Sequence, residues 1–271
     1  ESLSAINPAL VMTSITPFGQ TGPYRNYLGS ELVAQAMGGM MYIQGDDKLP
    51  PCAAPCDQAS QLASLHAAFS TLAALRYRSE TGLGQHVDVS MQDVVSHLLF
   101  SVARYAYNGE IIRRTGITSA LAPNNYYRCK DGYVSFSVFF DHHWRNLQEW
   151  MGIEALAGPV WEDINFRRNN ADIVDSLVGE FIGGFTVNEF VEQGQERHLA
   201  ISPMSTVEDL VNSPQLRERA YFLEGLHPHV GDHRIPGAPY RFSKTPWKMR
   251  RPAPMIGQHN AEITEELLGT L

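Results

Sequence analysis

The alternation of apolar and polar residues is most regular between residues 58 and 78. Large apolar side chains recur there at the spacing of one helical face, at Leu62, Leu65, Phe69, Leu72 and Leu75. No Asp, Glu, Lys or Arg occurs from Gln58 through Leu75. The pattern therefore predicts one long helix over Ser60–Arg78, buried in the fold through this stripe of large side chains.

Shorter periodic segments surround this helix. Glu31–Met37 predicts a helix of small residues that ends at Gly38 and Gly39. His86–Ser90 alternates polar and apolar residues and predicts a strand. We also expect a buried strand over Ala9–Thr16 and one helix from Met91 to about Tyr107, with Ser90 and Asp93 as its N-cap pair. Helix, glycine turn, strand and helix indicate an α/β fold.

The residue pattern changes after Tyr107, from helical periodicity to strand-like runs and further short helices. Two strand-like runs around Asp131-Gly132 predict a β-hairpin. Further helices are predicted from Asp141, over 171–181, over 187–195 behind Thr186, over 207–211 behind Thr206, and over 261–268. We therefore expect a large α/β domain over residues 1–117, a small α+β domain over 118–225, and a segment over 226–271 that returns to the large domain.

Composition and charge exclude several classes of partner. The 271 residues carry 21 Lys and Arg against 29 Asp and Glu, so the formal net charge of −8 does not favour binding to nucleic acid. No apolar run is long enough to cross a membrane. Three cysteines are too few for a disulfide scaffold, which favours a reducing cytoplasm. We expect a small-molecule partner.

Few residues suggest chemistry when they are considered alone. The chain has no glycine-rich nucleotide motif, no serine nucleophile elbow and no metalloprotease pair. Cys52 and Cys56 lack a second ligand pair at zinc-site spacing, so no metal is expected. Glu31, at the start of a helix of small residues, is the most notable carboxylate. It suits either acid-base chemistry or simple stabilisation of the helix dipole.

Several segments, taken together and in order, resemble the family III CoA-transferases, the family of formyl-CoA transferase, carnitine CoA-transferase and the α-methylacyl-CoA racemases. Each segment is short, and their order and spacing make the resemblance specific. They are Asn7–Val11, Phe18–Tyr24, Ala34–Gly39, Ala73–Leu75, Thr81–Gln85, Val87–Ser90, Gly237–Pro239, Thr245–Pro246, Arg251–Pro254 and Gly257–His259.

The resemblance implies a fold and an assembly. Family members have a Rossmann-like large domain and a small α+β domain, and two chains interlock into a dimer. This chain begins where the N-terminal half of the large domain is nearly complete in its relatives, so that part of the large domain is expected to be absent from it. The implied partners are a CoA thioester, an organic acid and a second chain, identical or a sister subunit.

The family mechanism uses an aspartate at the start of the long helix. Its carboxylate attacks the donor thioester to give an acyl-aspartyl anhydride, then an aspartyl-CoA thioester, and finally the CoA ester of the acceptor. An ungapped alignment places Ser60 at the position of this aspartate, and Asp57, three residues earlier, is the alternative. Glu31 occupies the position of a carboxylate that assists catalysis. With Glu31, residues Leu28, Gly29 and Ser30 are expected to bind the CoA thioester.

Serine at position 60 is a departure from the family. A seryl ester cannot exchange with CoA thiol through the anhydride route, and the racemase acid-base pair falls on Ser30 and Ser60. The resulting prediction is a CoA-transferase subunit without the aspartate nucleophile, moving CoA from an acyl-CoA such as succinyl-CoA to an organic acid beside a sister chain. The alternatives are an acyl-CoA lyase or isomerase that uses Glu31 or Asp57, and a scaffold subunit that binds CoA esters without catalysis.

Overall fold

A computed structural model describes residues 2–114, 121–227 and 229–269. The chain divides into two compact units, Glu1–Ser202 and Pro203–Leu271. The predicted domain boundary at 117/118 lies outside the described residues, and the predicted division into domains stays a prediction. In the described part of the chain, no helix is both long and apolar enough to cross a membrane.

The first part of the larger unit is an α/β arrangement, as predicted. Its elements are α1 (Ser2–Ile6), β1 (Met12–Thr16), α2 (Glu31–Met37), α3 (Met40–Ile43), α4 (Gln58–Thr81), β2 (His86–Ser90), α5 (Met91–His97) and α6 (Phe100–Asn108). Strands β1 and β2 pair in parallel, with Met12 opposite His86 and Thr16 opposite Ser90. The Ser90 hydroxyl accepts a hydrogen bond from the Asp93 N–H at 3.2 Å and caps α5, as expected.

The turn between α4 and β2 requires glycine. Gly84 donates its N–H to the carbonyl of Pro8 at 2.8 Å. A Cβ atom at position 84 would lie 2.0 Å from the carbonyl oxygen of Leu10. Only a residue without a side chain allows the two backbone segments to approach this closely, which brings β2 into register beside β1.

Helix α4 covers the predicted range, but the prediction that its stripe of large residues is buried is wrong for three of the five. Its buried side chains are all alanines, at Ala59, Ala63, Ala67 and Ala74. By contrast Leu65, Phe69 and Leu72 are 67%, 74% and 66% exposed within this chain. Leu62 and Leu75 are half-buried, and Leu62 packs against the core. Small side chains allow the helix to pack closely against the strands and α5, and this close packing leaves Leu65, Phe69 and Leu72 facing outward.

The single helix predicted from Met91 to about Tyr107 is also wrong, because the structure has two helices there. Leu99 interrupts them with an extended backbone, φ −87° and ψ 101°. The sequence contains no proline or glycine at this point. The break places the side chain of Leu99 against Gly39. A Cβ atom built at position 39 would lie 3.1 Å from the Cδ1 atom of Leu99. A tertiary contact therefore accompanies the break.

The second part of the larger unit has its own hydrophobic core. Its elements are β3 (Asn124–Arg128), β4 (Tyr133–Ser137), α7 (Asp141–Met151), α8 (Ile164–Asn169), α9 (Ala171–Ile182), α10 (Val187–Glu196) and β5 (Ala200–Pro203), with 3-10 turns at Glu154–Leu156 and Pro159–Glu162. Strands β3 and β4 form the predicted antiparallel hairpin, and β5 extends it to three strands. Thr186 and Glu189 form the predicted capping box of α10.

A buried arginine stabilises this core. Arg167 is fully buried, and its Nε donates to the carbonyl of Ala122 at 3.1 Å. Its Nη1 donates to the carbonyl of Trp161 at 2.6 Å, and the guanidinium lies 4.7 Å from the ring centroid of Trp144. The carbonyls and the aromatic face replace part of the water that the cation loses on burial, and Nη2 has no hydrogen-bond partner among the described residues.

The smaller unit contains α11 (Val207–Asn212), α12 (Pro214–Glu218), β6 (Phe222–His227), β7 (Gly231–Pro236) and α13 (Asn260–Leu268). Thr206 and Asp209 form the predicted capping box at the start of α11. Strands β6 and β7 pair antiparallel, with Phe222 opposite Pro236. The predicted C-terminal helix is present as α13.

Candidate active site

The carboxylate of Glu31 lies at the N-terminus of α4. One oxygen accepts hydrogen bonds from the Ala59 N–H at 2.7 Å and from Gln35 Nε2 at 2.8 Å. The other oxygen accepts from the Ser60 N–H at 2.9 Å and from the Ser60 hydroxyl at 2.7 Å. Two of the candidate residues, Glu31 and Ser60, are therefore in direct contact, and α2 and α4 position them.

Gln35 holds this arrangement together and was not among the predicted site residues. It is buried, and besides Glu31 its Nε2 contacts the carbonyl of Ala54 at 3.2 Å. The Ala54 N–H donates back to Gln35 Oε1 at 2.8 Å. The signal was present in the sequence, since Gln35 is one polar residue in an apolar helix and lies four residues after Glu31, on the same face. It fixes the loop that leads into α4.

Asp57 begins α4 but does not cap it. Its backbone is left-handed, with φ 49° and ψ 49°, and its side chain makes no capping hydrogen bond. Cys56 before it also has a positive φ of 64°. Two consecutive non-glycine residues in this region store backbone strain at the turn. Since the N-cap side chain does not reach the free N–H groups, Glu31 satisfies them from another helix.

The contacts of Glu31 determine its ionisation. Partial burial by itself raises the pKa of the Glu31 carboxyl, but the hydrogen bonds from Gln35, Ser60 and the backbone of Ala59 outweigh this effect. The net result is a pKa below the ordinary value. Donors to the charged form stabilise it, so Glu31 is an anion at neutral pH and a weak base.

The same contacts limit the chemistry of Ser60. Its hydroxyl proton is directed at Glu31, and a serine nucleophile needs a base that will accept this proton. A carboxylate with a lowered pKa is poorly suited to that role. The pair therefore orients the Ser60 oxygen and fixes the helix terminus. Asp57, in contrast, is exposed, with no hydrogen bond to its carboxylate among the described residues.

The residues before Glu31 have different environments. Ser30 is the N-cap of α2, and its hydroxyl accepts a hydrogen bond from the Val33 N–H at 3.4 Å. A Cβ at Gly29 would lie 2.4 Å from Cβ of Pro17, so glycine is required there by packing. The Leu28 side chain is 97% exposed. The structure brings these residues near the site as a connected segment, and their contact with a CoA thioester stays a prediction.

Comparison with known proteins identifies the family. The family described as CoA-transferase family III matches residues 1–260. The succinyl-CoA:(R)-benzylsuccinate CoA-transferase subunit BbsE of Thauera aromatica is 32% identical over 98% of this chain and 68% of its own length. The succinyl-CoA–L-malate CoA-transferase alpha subunit of Chloroflexus aurantiacus is also 32% identical, over 98% of this chain and 63% of its own length. This chain thus spans about two thirds of these relatives.

Solved structures agree with the sequence comparison. The crystal structure of a CAIB/BAIF family protein from Brucella suis superposes with a TM-score of 0.83 at 28% sequence identity. The superposition covers 98% of this chain and 70% of that chain. The predicted fold class is therefore confirmed. The chain belongs to CoA-transferase family III.

Proposed function

We propose that this chain is a subunit of a CoA-transferase that moves CoA from an acyl-CoA donor, with succinyl-CoA as the expected donor, to an organic acid. In this proposal the chain lacks the aspartate nucleophile and a sister subunit supplies it. The observation that carries the proposal is the hydrogen bond of 2.7 Å from the Ser60 hydroxyl to Glu31. The proposal rests on the predicted alignment of Ser60 with the aspartate of the family, at the start of α4.

The relatives support a succinyl-CoA donor and a two-subunit assembly. Relatives at 32% identity are named as subunits of CoA-transferases that use succinyl-CoA, one acting on (R)-benzylsuccinate and one on L-malate. A further relative from the Chloroflexus enzyme, 29% identical, is named as its beta subunit. We therefore propose a heteromer, acting in the cytoplasm, in which this chain corresponds to one of two related subunits.

The proposed reaction balances without any redox partner. The sister's aspartate attacks the thioester carbonyl of the donor, forms a mixed anhydride and releases CoA as the thiolate. The thiolate then attacks the aspartyl carbonyl and releases the donor as a free carboxylate. The acceptor carboxylate displaces CoA from the aspartyl thioester, and CoA finally attacks the acceptor carbonyl, which regenerates the aspartate.

Glu31 has a positioning role in this proposal. Three of its four hydrogen bonds hold the first turn of α4. The fourth comes from Gln35, which in turn holds the loop that precedes α4. The lowered pKa of Glu31 makes its carboxylate a weaker proton acceptor, which argues against the alternative of a lyase or isomerase that uses Glu31 as its base. The carboxylate of Asp57, the other candidate base, is exposed.

Trapping experiments distinguish these possibilities. The holoenzyme is incubated with succinyl-CoA, quenched with hydroxylamine, and both chains are analysed by peptide mass spectrometry. We expect the hydroxamate on an aspartate of the sister chain and an unmodified Asp57 here. A hydroxamate on Asp57 would overturn the proposal in favour of a self-sufficient transferase.

A variant pair tests the position of Ser60. Ser60→Asp places a carboxylate at the family's nucleophile position, whereas Ser60→Asn places an amide of the same size there. In the chain without its sister, we expect a succinyl-CoA-dependent hydroxamate at position 60 in Ser60→Asp and none in Ser60→Asn. If Ser60→Asp stays unlabelled while Asp57 becomes labelled, the alignment on which the proposal depends is wrong.

A further inference from the structure

The smaller unit contains a groove that the candidate active site does not use. It has a volume of about 590 Å³ and is formed by residues that follow α12 and β7. Three aromatic side chains, Tyr240, Phe242 and Trp247, line it together with two arginines, Arg219 and Arg241. No acidic side chain lines it in the described part of the unit.

The backbone fixes the shape of this groove. Gly237 donates its N–H to the carbonyl of Tyr221 at 2.7 Å, which joins the ends of β6 and β7. A Cβ at position 237 would lie 2.8 Å from that same oxygen, so the two segments approach as closely as glycine permits. Beyond this contact, the rings of Tyr240 and Phe242 pack at 5.1 Å between centroids. The groove is therefore built on paired strands.

The two arginines of the groove have no charged partner among the described residues, and two other arginines of the same unit do have one. Arg234 contacts Glu224 at 2.8 Å, and Arg251 contacts Glu262 at 3.5 Å. Among the described residues, neither Arg219 nor Arg241 has an ion pair or a side-chain hydrogen bond. In a chain with a net charge of −8, two unpaired guanidinium groups beside aromatic rings form a local cationic site.

We propose that this groove binds a planar organic anion, namely an aromatic ring that carries a phosphate or a carboxylate. Guanidinium groups bind both anions through paired N–H donors, and aromatic side chains stack on a planar ring. An isolated inorganic anion uses only the arginines, and a neutral ring uses only the aromatic residues. The groove therefore selects ligands that combine an anionic group with a planar ring. This proposal is independent of the chemistry proposed at Ser60.

Calorimetric titration of the full chain tests this proposal. AMP is compared with adenosine and with inorganic phosphate, and benzoate is compared with acetate. We expect AMP or benzoate to bind at least roughly tenfold more tightly than its separate parts, because ring and anion each add contacts. Preference for AMP identifies a phosphate ligand, and preference for benzoate identifies a carboxylate ligand. Absence of binding by both overturns the proposal and favours a protein segment as the occupant.

Matched variants locate the binding. Arg241→Gln and Arg219→Gln are each expected to weaken it about tenfold, since each removes a charged hydrogen-bond donor. Arg250→Gln removes the same charge from an exposed arginine outside the groove and serves as the control, with unchanged affinity expected. Quenching of tryptophan fluorescence by AMP should disappear in Trp247→Phe.

Two results would contradict this assignment. Equal loss of affinity in Arg250→Gln and Arg241→Gln would indicate nonspecific charge attraction. Quenching that persists in Trp247→Phe would place the ligand elsewhere. Neither result affects the proposal for Ser60, because labelling of the sister chain is measured separately.

Discussion

Glu31 accepts two hydrogen bonds from Ser60, one from its hydroxyl at 2.7 Å and one from its backbone N–H at 2.9 Å. Glu31 is itself the first residue of α2. Its carboxylate therefore lies at the N-terminal ends of two helices, α2 and α4. Both helix dipoles favour negative charge at that point, so the anion stabilises two elements that are far apart in sequence.

We predict that Glu31→Gln destabilises the fold. The amide retains one acceptor oxygen for four donors and adds its own N–H group opposite those of α4. We expect the free energy of unfolding to fall by about 1 to 3 kcal/mol, the cost of leaving charged-group hydrogen bonds unmade. Urea unfolding followed by circular dichroism measures this change.

The matched control for this variant is Glu80→Gln at the other end of α4. Glu80 forms an exposed pair with Arg76 at 2.5 Å. Such pairs contribute about 0.5 kcal/mol or less. Equal losses in the two variants would show that Glu31 acts as an ordinary surface charge.

The stability contributed by Glu31 should depend on pH. Its pKa is lowered in the folded state from the ordinary value of 4.5. A lowered pKa stabilises the fold fully above the unfolded value, and this stabilisation is lost as the pH falls through the folded value. We therefore expect the difference in unfolding free energy between wild type and Glu31→Gln to be constant from pH 8 to 6 and to shrink below 4.5. A difference that grows in acid would contradict this assignment.

Ser60→Asp should be less stable than Ser60→Asn at pH 7. The aspartate replaces a hydroxyl donor with a second carboxylate beside Glu31, whereas asparagine keeps a donor. At a separation of about 4 Å two like charges repel by up to about 4 kcal/mol, which exceeds the gain of about 0.3 to 1 kcal/mol from the helix dipole. Thermal unfolding at pH 7 and at pH 4 measures the difference, which should decrease in acid. Equal stability at both values would mean that the two side chains separate.

The alanine face of α4 should tolerate less change than its large residues. Ala63 is fully buried, so Ala63→Leu inserts a side chain into a close contact and should cost about 1 to 3 kcal/mol. Leu65→Ala removes an exposed side chain and should cost about 0.5 kcal/mol or less in the separate chain. Urea unfolding of both variants at low protein concentration measures the difference. The reverse order would show that the stripe of large residues faces the core of this chain.

Gly84→Ala should be strongly destabilising. The added Cβ would lie 2.0 Å from the Leu10 carbonyl oxygen, and the backbone must move to relieve this clash. We expect a cost of about 3 kcal/mol or more, of the kind seen for severe strain. Gly82→Ala is the control. Gly82 has a φ of +77°, but a Cβ atom added there would meet no atom within 4 Å. We therefore expect a loss of only about 1 kcal/mol in the free energy of unfolding, from backbone strain alone. Thermal unfolding of the two variants tests the order.

Local features of the fold were predictable because the interactions behind them span a few residues. Thr186 with Glu189, and Thr206 with Asp209, each form the predicted capping box. The helix Glu31–Met37 and the strand His86–Ser90 have the predicted bounds. In each case a hydrogen bond or a side-chain period within one turn of chain specifies the element, so the sequence by itself carries the information.

Only the tertiary structure decided which surfaces meet. The sequence predicted burial of α4 through its large apolar residues, but close packing against the strands buried the alanines and left Leu65 and Phe69 exposed. In the sequence, Glu31 and Ser60 are separate candidate residues, 29 positions apart. The folded chain places their side chains in contact. Such contacts depend on how several elements pack together, and no local sequence pattern specifies which residues will meet.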